Sequence, residues 1–480
     1  MRWTIKPKPD PSKVARLSQE LAVDSTTSFL LAQRGIETFE EAKNFFRPDL
    51  NDLHDPFLMK DMEKAIVRIE EAVENQENIL VYGDYDVDGT TSVALMSSYL
   101  LSFYPNVATY IPDRYDEGYG ISYKGIDYAE DNNFSLIIAL DCGIKAIDKV
   151  AYASKKGVDF VICDHHRPGA EIPKAKAVLD PKQEDCEYPF KELCGCGVGF
   201  KLIQALASKK GETVNDLVLY LDLVATAIGA DIVPIVGENR ILAYHGLKVI
   251  NKNPRPGFEA ILKQVKKEKL TITDVVFIIA PRINAAGRMK HGNHAVTLLC
   301  ETDINLAAEY AIDIDTYNTD RRDADKRITI EALAQIEENK EQDRLTSVVY
   351  DENWHKGVIG IVASRLIETY YRPTLVFTKS GEMLAASARS VKGFDVYNAL
   401  EKCSEYIEQF GGHKYAAGLT LKPENYKGFK AQFEKVVEET IDPKMLIPEI
   451  SIDSQISLSD ITPKFYRILS QFAPFGPGNM

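Results

Sequence analysis

The sequence has no apolar run long enough to cross a bilayer. The longest, residues 217–230, is broken by Asp222 and falls short of the roughly 20 residues a spanning helix needs. Its start, Met1-Arg2-Trp3-Thr4-Ile5-Lys6, lacks the apolar stretch of a secretion signal. Cysteine is sparse, seven in 480 residues, and scattered apart from Cys194-Gly-Cys196. With no second pair at a matching distance, that pair does not make a zinc site. With no secretory signal, the thiols are expected to be reduced and the protein cytoplasmic. Positive charge is also short. Lys and Arg number 57 against 71 Asp and Glu, a net charge of −14. That does not point to attraction to nucleic acid through overall charge, and it is compatible with a local basic groove.

What is present is a chain long enough for two or three domains. Residues 1–75 read as an N-terminal helical lead-in, with Met62, Ala65, Ile66, Ile69 and Ala72 on one helical face. Within 76–250, strand patterns at 78–83, 107–112, 135–140, 159–163 and 176–179 alternate with helix patterns at 90–103, 122–130, 145–155 and 197–208. Such alternation predicts an α/β domain with a mainly parallel sheet. Residues 251–340 read as helical, ending in a long charged connecting helix that the polar segment 318–326 interrupts. A second, smaller α/β pattern covers 341–445, with strands near 347–350, 374–378 and 383–388 and a helix at 424–440. The tail, 446–480, begins with strand-like alternation.

The chemistry gathers at strand ends. Ile79 to Tyr82 reads as a buried strand, and Asp84, Asp86 and Asp88 follow at alternate positions before a helix that Thr90 or Thr91 can cap. The carboxyl ends of strands in open α/β sheets are where ligands bind. Three clustered carboxylates repel unless cations lie among them, and hard oxygen donors favour Mg2+ or Mn2+. Two later strands also end in loaded residues, Asp141-Cys142-Gly143 and Asp164-His165-His166. Asp231 ends the 217–230 helix, stopped by Pro234, and on that reading alone is a helix-terminal residue. Pro281-Arg-Ile-Asn-Ala-Ala-Gly-Arg288 reads as an irregular loop bearing arginines. Ser387-Ala-Arg389 and Gly411-Gly412-His413 read as segments suited to holding phosphates through backbone N–H groups and cations.

In this order and spacing the motifs resemble the DHH phosphoesterase superfamily, and within it the RecJ exonucleases, over nearly the whole chain. The Asp84-Tyr-Asp86-Val-Asp88, Asp141-Cys-Gly, Asp164-His-His and Ala230-Asp231-Ile-Val-Pro segments match its successive motifs. Pro281 to Arg288 and Ile111-Pro-Asp-Arg114 to Tyr119-Gly match RecJ segments, and Trp354-His-Lys-Gly and Gly411-Gly-His413 match the DHH-associated domain. Ala280 and Ala388 stand where glycine is usual, departures too small to abolish chemistry.

The resemblance implies a parallel-sheet DHH domain joined by a long helix to a smaller α/β domain. It implies that Asp84, Asp86, Asp141, His165 and Asp231 bind two Mn2+ or Mg2+ ions, the histidine tilting the balance toward manganese. His166 would lie near the scissile phosphate, with Asp164 and Asp88 in catalytic roles, either as further metal ligands or orienting the groups around them. Arg114, Tyr119, Arg282, Asn284, Arg288, Ser387, Arg389, Gly411, Gly412 and His413 would contact the substrate. The implied activity is 5′-to-3′ hydrolysis of single-stranded DNA to mononucleotides in recombination and repair, with duplex DNA excluded by a narrow passage between the domains. The implied partners are single-stranded DNA, a helicase and a single-strand-binding protein, with no membrane and a monomeric state. The competing readings are a DHH phosphodiesterase for short oligonucleotides or cyclic dinucleotides and a non-catalytic replication scaffold. The scaffold is disfavoured because every expected ligand is present. RecJ proteins continue past a Phe-Gly-Pro-Gly sequence like that at 475–478 into an OB-fold, so residues 446–480 are expected to open a truncated one.

Overall fold

Neighbouring residues of the central strands go to opposite cores, which is why those strands are apolar throughout rather than alternating. The computed structural model describes residues 1–265, 267 and 269–480; Lys266 and Glu268, in the stretch expected to be helical, lie outside the described residues. Strand β1 (Arg2–Ile5) stands apart from the main sheets. The sheet that carries the site consists of β2 (Asn78–Gly83), β3 (Val107–Tyr110), β4 (Phe134–Leu140), β5 (Asp159–Cys163) and β6 (Ala177–Leu179). Its order is β3-β2-β4-β5-β6 and every pairing is parallel. Ile79, Val81, Leu136, Ile138, Leu140 and Val161 pack into one core, and Leu80, Tyr82, Ile137, Ala139, Phe160 and Ile162 into another. Because β3 and β4 flank β2 on opposite sides, the chain reverses its winding at β2. That reversal opens a crevice at the carboxyl ends of β2, β4 and β5.

Two compact units divide the chain. The larger comprises residues 7–318 and 456–480 and contains this sheet. The helix after β2 runs Val87–Leu101, capped by Asp86 through the Gly89 N–H at 3.0 Å. The expected caps, Thr90 and Thr91, instead lie inside the helix and donate to the carbonyls of Asp86 and Val87. The helices Leu221–Ala230 and Gly237–Lys252 pack together, and Asp231 follows the first as its C-cap. The arginine-bearing segment expected to be a loop is helical, Ala280–Met289, and continues without a break from a π-helical turn, Val275–Ile279, in which the Ala280 N–H bonds the Val275 carbonyl five residues back just before Pro281. Phe472 packs with Leu17, Leu30, Leu31 and Ala42 of the N-terminal helices.

The smaller unit comprises residues 1–6 and 319–455. Its main sheet contains β7 (Ser347–Tyr350), β8 (Thr374–Ser380), β9 (Met383–Arg389), β10 (Gln409–His413) and β11 (Ala416–Leu421), in the order β10-β11-β9-β8-β7. Only β7 and β8 pair in parallel within it. β12 (Glu449–Ile452) pairs in parallel with β1, so the lead-in expected to be helical opens with a strand. The tail at 446–480 is shared, with β12 in the smaller unit and residues 456–480 in the larger. The Ile304–Glu338 helix passes from one unit to the other without the expected break at 318–326.

Candidate metal centre

Each acid at the carboxyl edge of the larger sheet is placed by the backbone of the strand before it. Asp84 follows β2 and is fully buried; its Oδ1 accepts the Gly120 N–H at 3.3 Å, while its buried Oδ2 has no hydrogen-bond partner among the described residues. Asp141 follows β4 with φ 59°, a left-handed conformation that aspartate tolerates better than most residues. Its N–H bonds the Cys163 carbonyl at 2.9 Å, and its buried Oδ1 has no hydrogen-bond partner among the described residues. Asp164 follows β5 with both oxygens engaged. Oδ2 accepts the Ile144 N–H at 2.9 Å, and Oδ1 accepts the N–H groups of His165 and His166 at 2.7 and 3.1 Å and meets His166 Nδ1 at 2.7 Å.

His165 joins these elements. Its Nε2 stands 3.2 Å from Asp141 Oδ1, 3.6 Å from Asp231 Oδ2 and 3.8 Å from Asp88 Oδ2. Ligand atoms of Asp88, His165 and Asp231 lie within 4.8 Å of one another, as do those of Asp141, His165 and His166. Asp231, an ordinary helix terminus by sequence, therefore reaches the site from a different element. Asp88 has both oxygens occupied, by the N–H of Gly195 at 2.7 Å and of Cys196 at 2.8 Å.

Electrostatics separates two kinds of group. Burial, reinforced by neighbouring carboxylates, pushes Asp84, Asp88, Asp141 and Asp231 above the usual carboxylate range. Burial lowers His165 to about 3, leaving a neutral imidazole, the form that binds metals. For His166 burial opposes the charge, but the hydrogen bond and charge of Asp164 outweigh it and raise the ring to about 9. Reciprocally, burial is outweighed at Asp164, which His166 pulls down to about 2. A dense set of carboxylate oxygens with one neutral imidazole, two buried oxygens lacking partners and mutual repulsion fits hard divalent cations.

Other expected substrate residues gather around this centre. Tyr119, 51% exposed, sets its ring edge-on to His166 at 6.2 Å and to Tyr85 at 5.7 Å. Arg114 stacks on Tyr85 at 3.9 Å and donates from Nε to the Gly287 carbonyl at 3.0 Å, tying the first acidic loop to the Ala280–Met289 helix. The Arg288 carbonyl accepts the Tyr115 hydroxyl. Arg282 donates to the Ile278 carbonyl at 2.9 Å and pairs with the half-exposed Asp315 at 3.0 Å. Asn284 keeps a buried amide oxygen without a hydrogen-bond partner among the described residues.

The remaining expected contacts lie on the smaller unit's main sheet. Cross-strand register puts Ser387, Gly418 and Gly411 in one row and Arg389, Ala416 and His413 in the next, while Gly412 pairs with Ala417. Arg389 donates to Ser387 Oγ at 3.1 Å and to the Ala388 carbonyl at 2.8 Å. Among the described residues no carboxylate lies within ion-pair distance of it, and burial lowers its guanidinium below the usual value. A Cβ on Gly360, in the first turn of the Ile359–Thr369 helix, would lie 2.9 Å from Ser387 Oγ and 3.1 Å from Arg389 Nη2. Sequence reading did not assign Gly360, Gly120, Ile144, Gly195 or Cys196 to these sites. Four of them act through backbone N–H groups and the fifth through a missing side chain; the signals were the Cys194-Gly-Cys196 spacing and the family segment that ends at Gly120.

Residues 78–228 match the N-terminal domain of the DHH family, and residues 342–439 match the DHHA1 domain. The single-stranded-DNA-specific exonuclease RecJ of Escherichia coli K12 is 33% identical over 93% of this chain and 80% of its own length. The chain belongs to the RecJ family. RecJ of Bacillus subtilis 168 is 38% identical over 99% of this chain, which spans 60% of that relative's length. The crystal structure of RecJ from Thermus thermophilus in complex with Mn2+ superposes with a TM-score of 0.87 at 27% identity, covering 100% of this chain and 68% of that one. The α/β architecture expected from the sequence is thus the RecJ-family architecture.

Proposed function

We propose that this chain is a metal-dependent exonuclease that hydrolyses single-stranded DNA from the 5′ end to mononucleotides, in DNA recombination and repair. The observation that carries this reading is the convergence of Asp141, Asp231 and Asp88 on His165 Nε2 within 3.8 Å, beside buried acceptors with no hydrogen-bond partner. Asp84, Asp86, Asp141, His165 and Asp231 would hold two Mn2+ or Mg2+ ions. Such ions, when bound, lower the pKa of water and stabilise charge on phosphate oxygens.

The chain's own groups supply the rest. His166 is held cationic by Asp164 and offers its other ring nitrogen to a phosphate oxygen near the bond to be cut. Asp164, with both oxygens engaged, fixes the backbone of both histidines rather than binding an ion. Tyr119 offers an exposed ring for a base to stack on, a contact indifferent to sequence. Arg389, a half-buried cation with no carboxylate within ion-pair distance among the described residues, is suited to a terminal phosphate, with Ser387 and the open glycine row at Gly411 around it. Arg114, Arg282, Asn284, Arg288, Gly412 and His413 complete the proposed substrate contacts. A cytoplasmic monomer working with a helicase and a single-strand-binding protein belongs to the same reading. No helix among the described residues is long and apolar enough to cross a membrane.

The test uses end-labelled single-stranded DNA with Mn2+. Asp141→Ala is expected to lose activity by at least about a hundredfold, and near-parental activity overturns the metal-site reading. Blocking the 5′ end is expected to stop degradation while a 3′ block does not; the reverse pattern overturns the polarity.

A further inference from the structure

We propose that the Cys194-Gly195-Cys196 turn sets the spacing of the acids in the metal centre, with Gly195 as a positioning residue acting through Asp141 and Asp88. This inference rests on the metal-site reading above. The turn opens the Gly195–Lys209 helix, and Cys194 caps it by accepting the Gly197 N–H on sulfur at 3.3 Å. Two consecutive N–H groups at this helix start go to one carboxylate, Gly195 to Asp88 Oδ2 at 2.7 Å and Cys196 to Asp88 Oδ1 at 2.8 Å. Both oxygens are thereby fixed, and the positive end of the helix offsets part of the cost of a buried charge.

The same glycine sets the second acid. A Cβ at position 195 would lie 2.5 Å from Asp141 Cβ, 2.7 Å from its Oδ1 and 2.8 Å from its Cα. The last is backbone, so no rotamer of Asp141 relieves the overlap. Nor can Asp141 readily withdraw, because its N–H is held by the Cys163 carbonyl. Gly195 therefore meets Asp141 through its bare Cα and Asp88 through its N–H, and both acids face His165 Nε2, at 3.2 and 3.8 Å. The thiol cap suits this place. Serine or aspartate is the usual cap, but aspartate would add charge beside the acids. Burial, then the charge of Asp88, pushes the Cys194 thiol upward and keeps it neutral.

The test measures Mn2+ binding to the full chain without DNA, by electron paramagnetic resonance of the unbound ion. In Gly195→Ala the Kd for Mn2+ is expected to rise at least about tenfold, while the metal-free protein keeps its far-UV circular dichroism. If that variant does not fold, Cys194→Ala removes only the cap and is expected to raise the Kd about threefold or more, with Cys194→Ser restoring the parental value. A folded Gly195→Ala that binds Mn2+ like the parent overturns the inference. So does a Cys194→Ala that loses thermal stability with no change in Kd, because that is a purely structural role. A parent chain that binds no Mn2+ overturns the metal-site reading instead, and a parent that binds Mn2+ but leaves DNA intact overturns the proposed activity alone.

Discussion

At the scale of single residues, the site divides into acids whose oxygens are spent and acids whose oxygens are spare. The sequence marks Asp84, Asp86, Asp88, Asp141 and Asp164 alike as acids after strands. The family resemblance separates them, but local pattern does not, because N–H groups that spend Asp88 and Asp164 come from the distant Gly195, Cys196 and Ile144. The difference has opposite consequences for stability. Asp164→Ala removes the acceptor of three backbone N–H groups and the partner of His166. Unsatisfied buried donors cost about 1–3 kcal/mol each, so a loss of at least roughly 3 kcal/mol is expected. Asp141→Asn removes a charge that burial and its neighbours already disfavour, and asparagine tolerates the left-handed backbone there. In the metal-free protein it is expected to be neutral or stabilising. Urea unfolding in EDTA checks both. If the two variants came out in the opposite order, the division into spent and spare oxygens would be wrong.

At the scale of elements, what local pattern could show was the strands. Four of the five strands of the larger sheet are mainly apolar runs that end at an acid, and β3, half-buried and containing Thr109, lies where a strand was expected. Reading failed where the deciding contact is distant or polar. Strand β1 could not be foreseen, because Arg2 pairs with Glu449, 447 residues later. The Ile304–Glu338 helix looked broken at its polar middle, yet Asp325 is buried there against Arg365, at 3.2 Å, and Arg321, at 3.9 Å. The Ala280–Met289 helix was hidden by Pro281 and Gly287, residues that usually break helices.

Position also depends on close approach between elements. Gly246 lets the Gly237–Lys252 helix press against the helix that ends at Asp231. A Cβ there would lie 2.1 Å from the Leu221 carbonyl oxygen and 2.5 Å from Ala225 Cβ. Gly246→Ala is therefore expected to destabilise the larger unit by at least about 1–3 kcal/mol, the usual cost of overpacking, even though alanine is the better helix former. Equilibrium urea unfolding measures it, and a stabilised variant would show that the helices can part without cost.

At the scale of the molecule, two α/β patterns were legible, but not the membership of the chain ends. Both tryptophans of the chain, Trp3 and Trp354, fall in the smaller unit, whereas the acids and His165 fall in the larger. Each unit has its own apolar core, so separate unfolding transitions are expected. A ligand that binds only the folded larger unit stabilises that unit by mass action, about 2.7 kcal/mol at a hundred times its Kd. Mn2+ carries the further advantage of neutralising buried acids that otherwise oppose folding. Added Mn2+ is therefore expected to raise the calorimetric transition of the larger unit while the tryptophan fluorescence transition stays in place, and Asp141→Ala to abolish the rise. If tryptophan fluorescence followed Mn2+ in step, the two units would unfold as one. If neither transition moved, the acids at the ends of β2, β4 and β5 would not form a metal site.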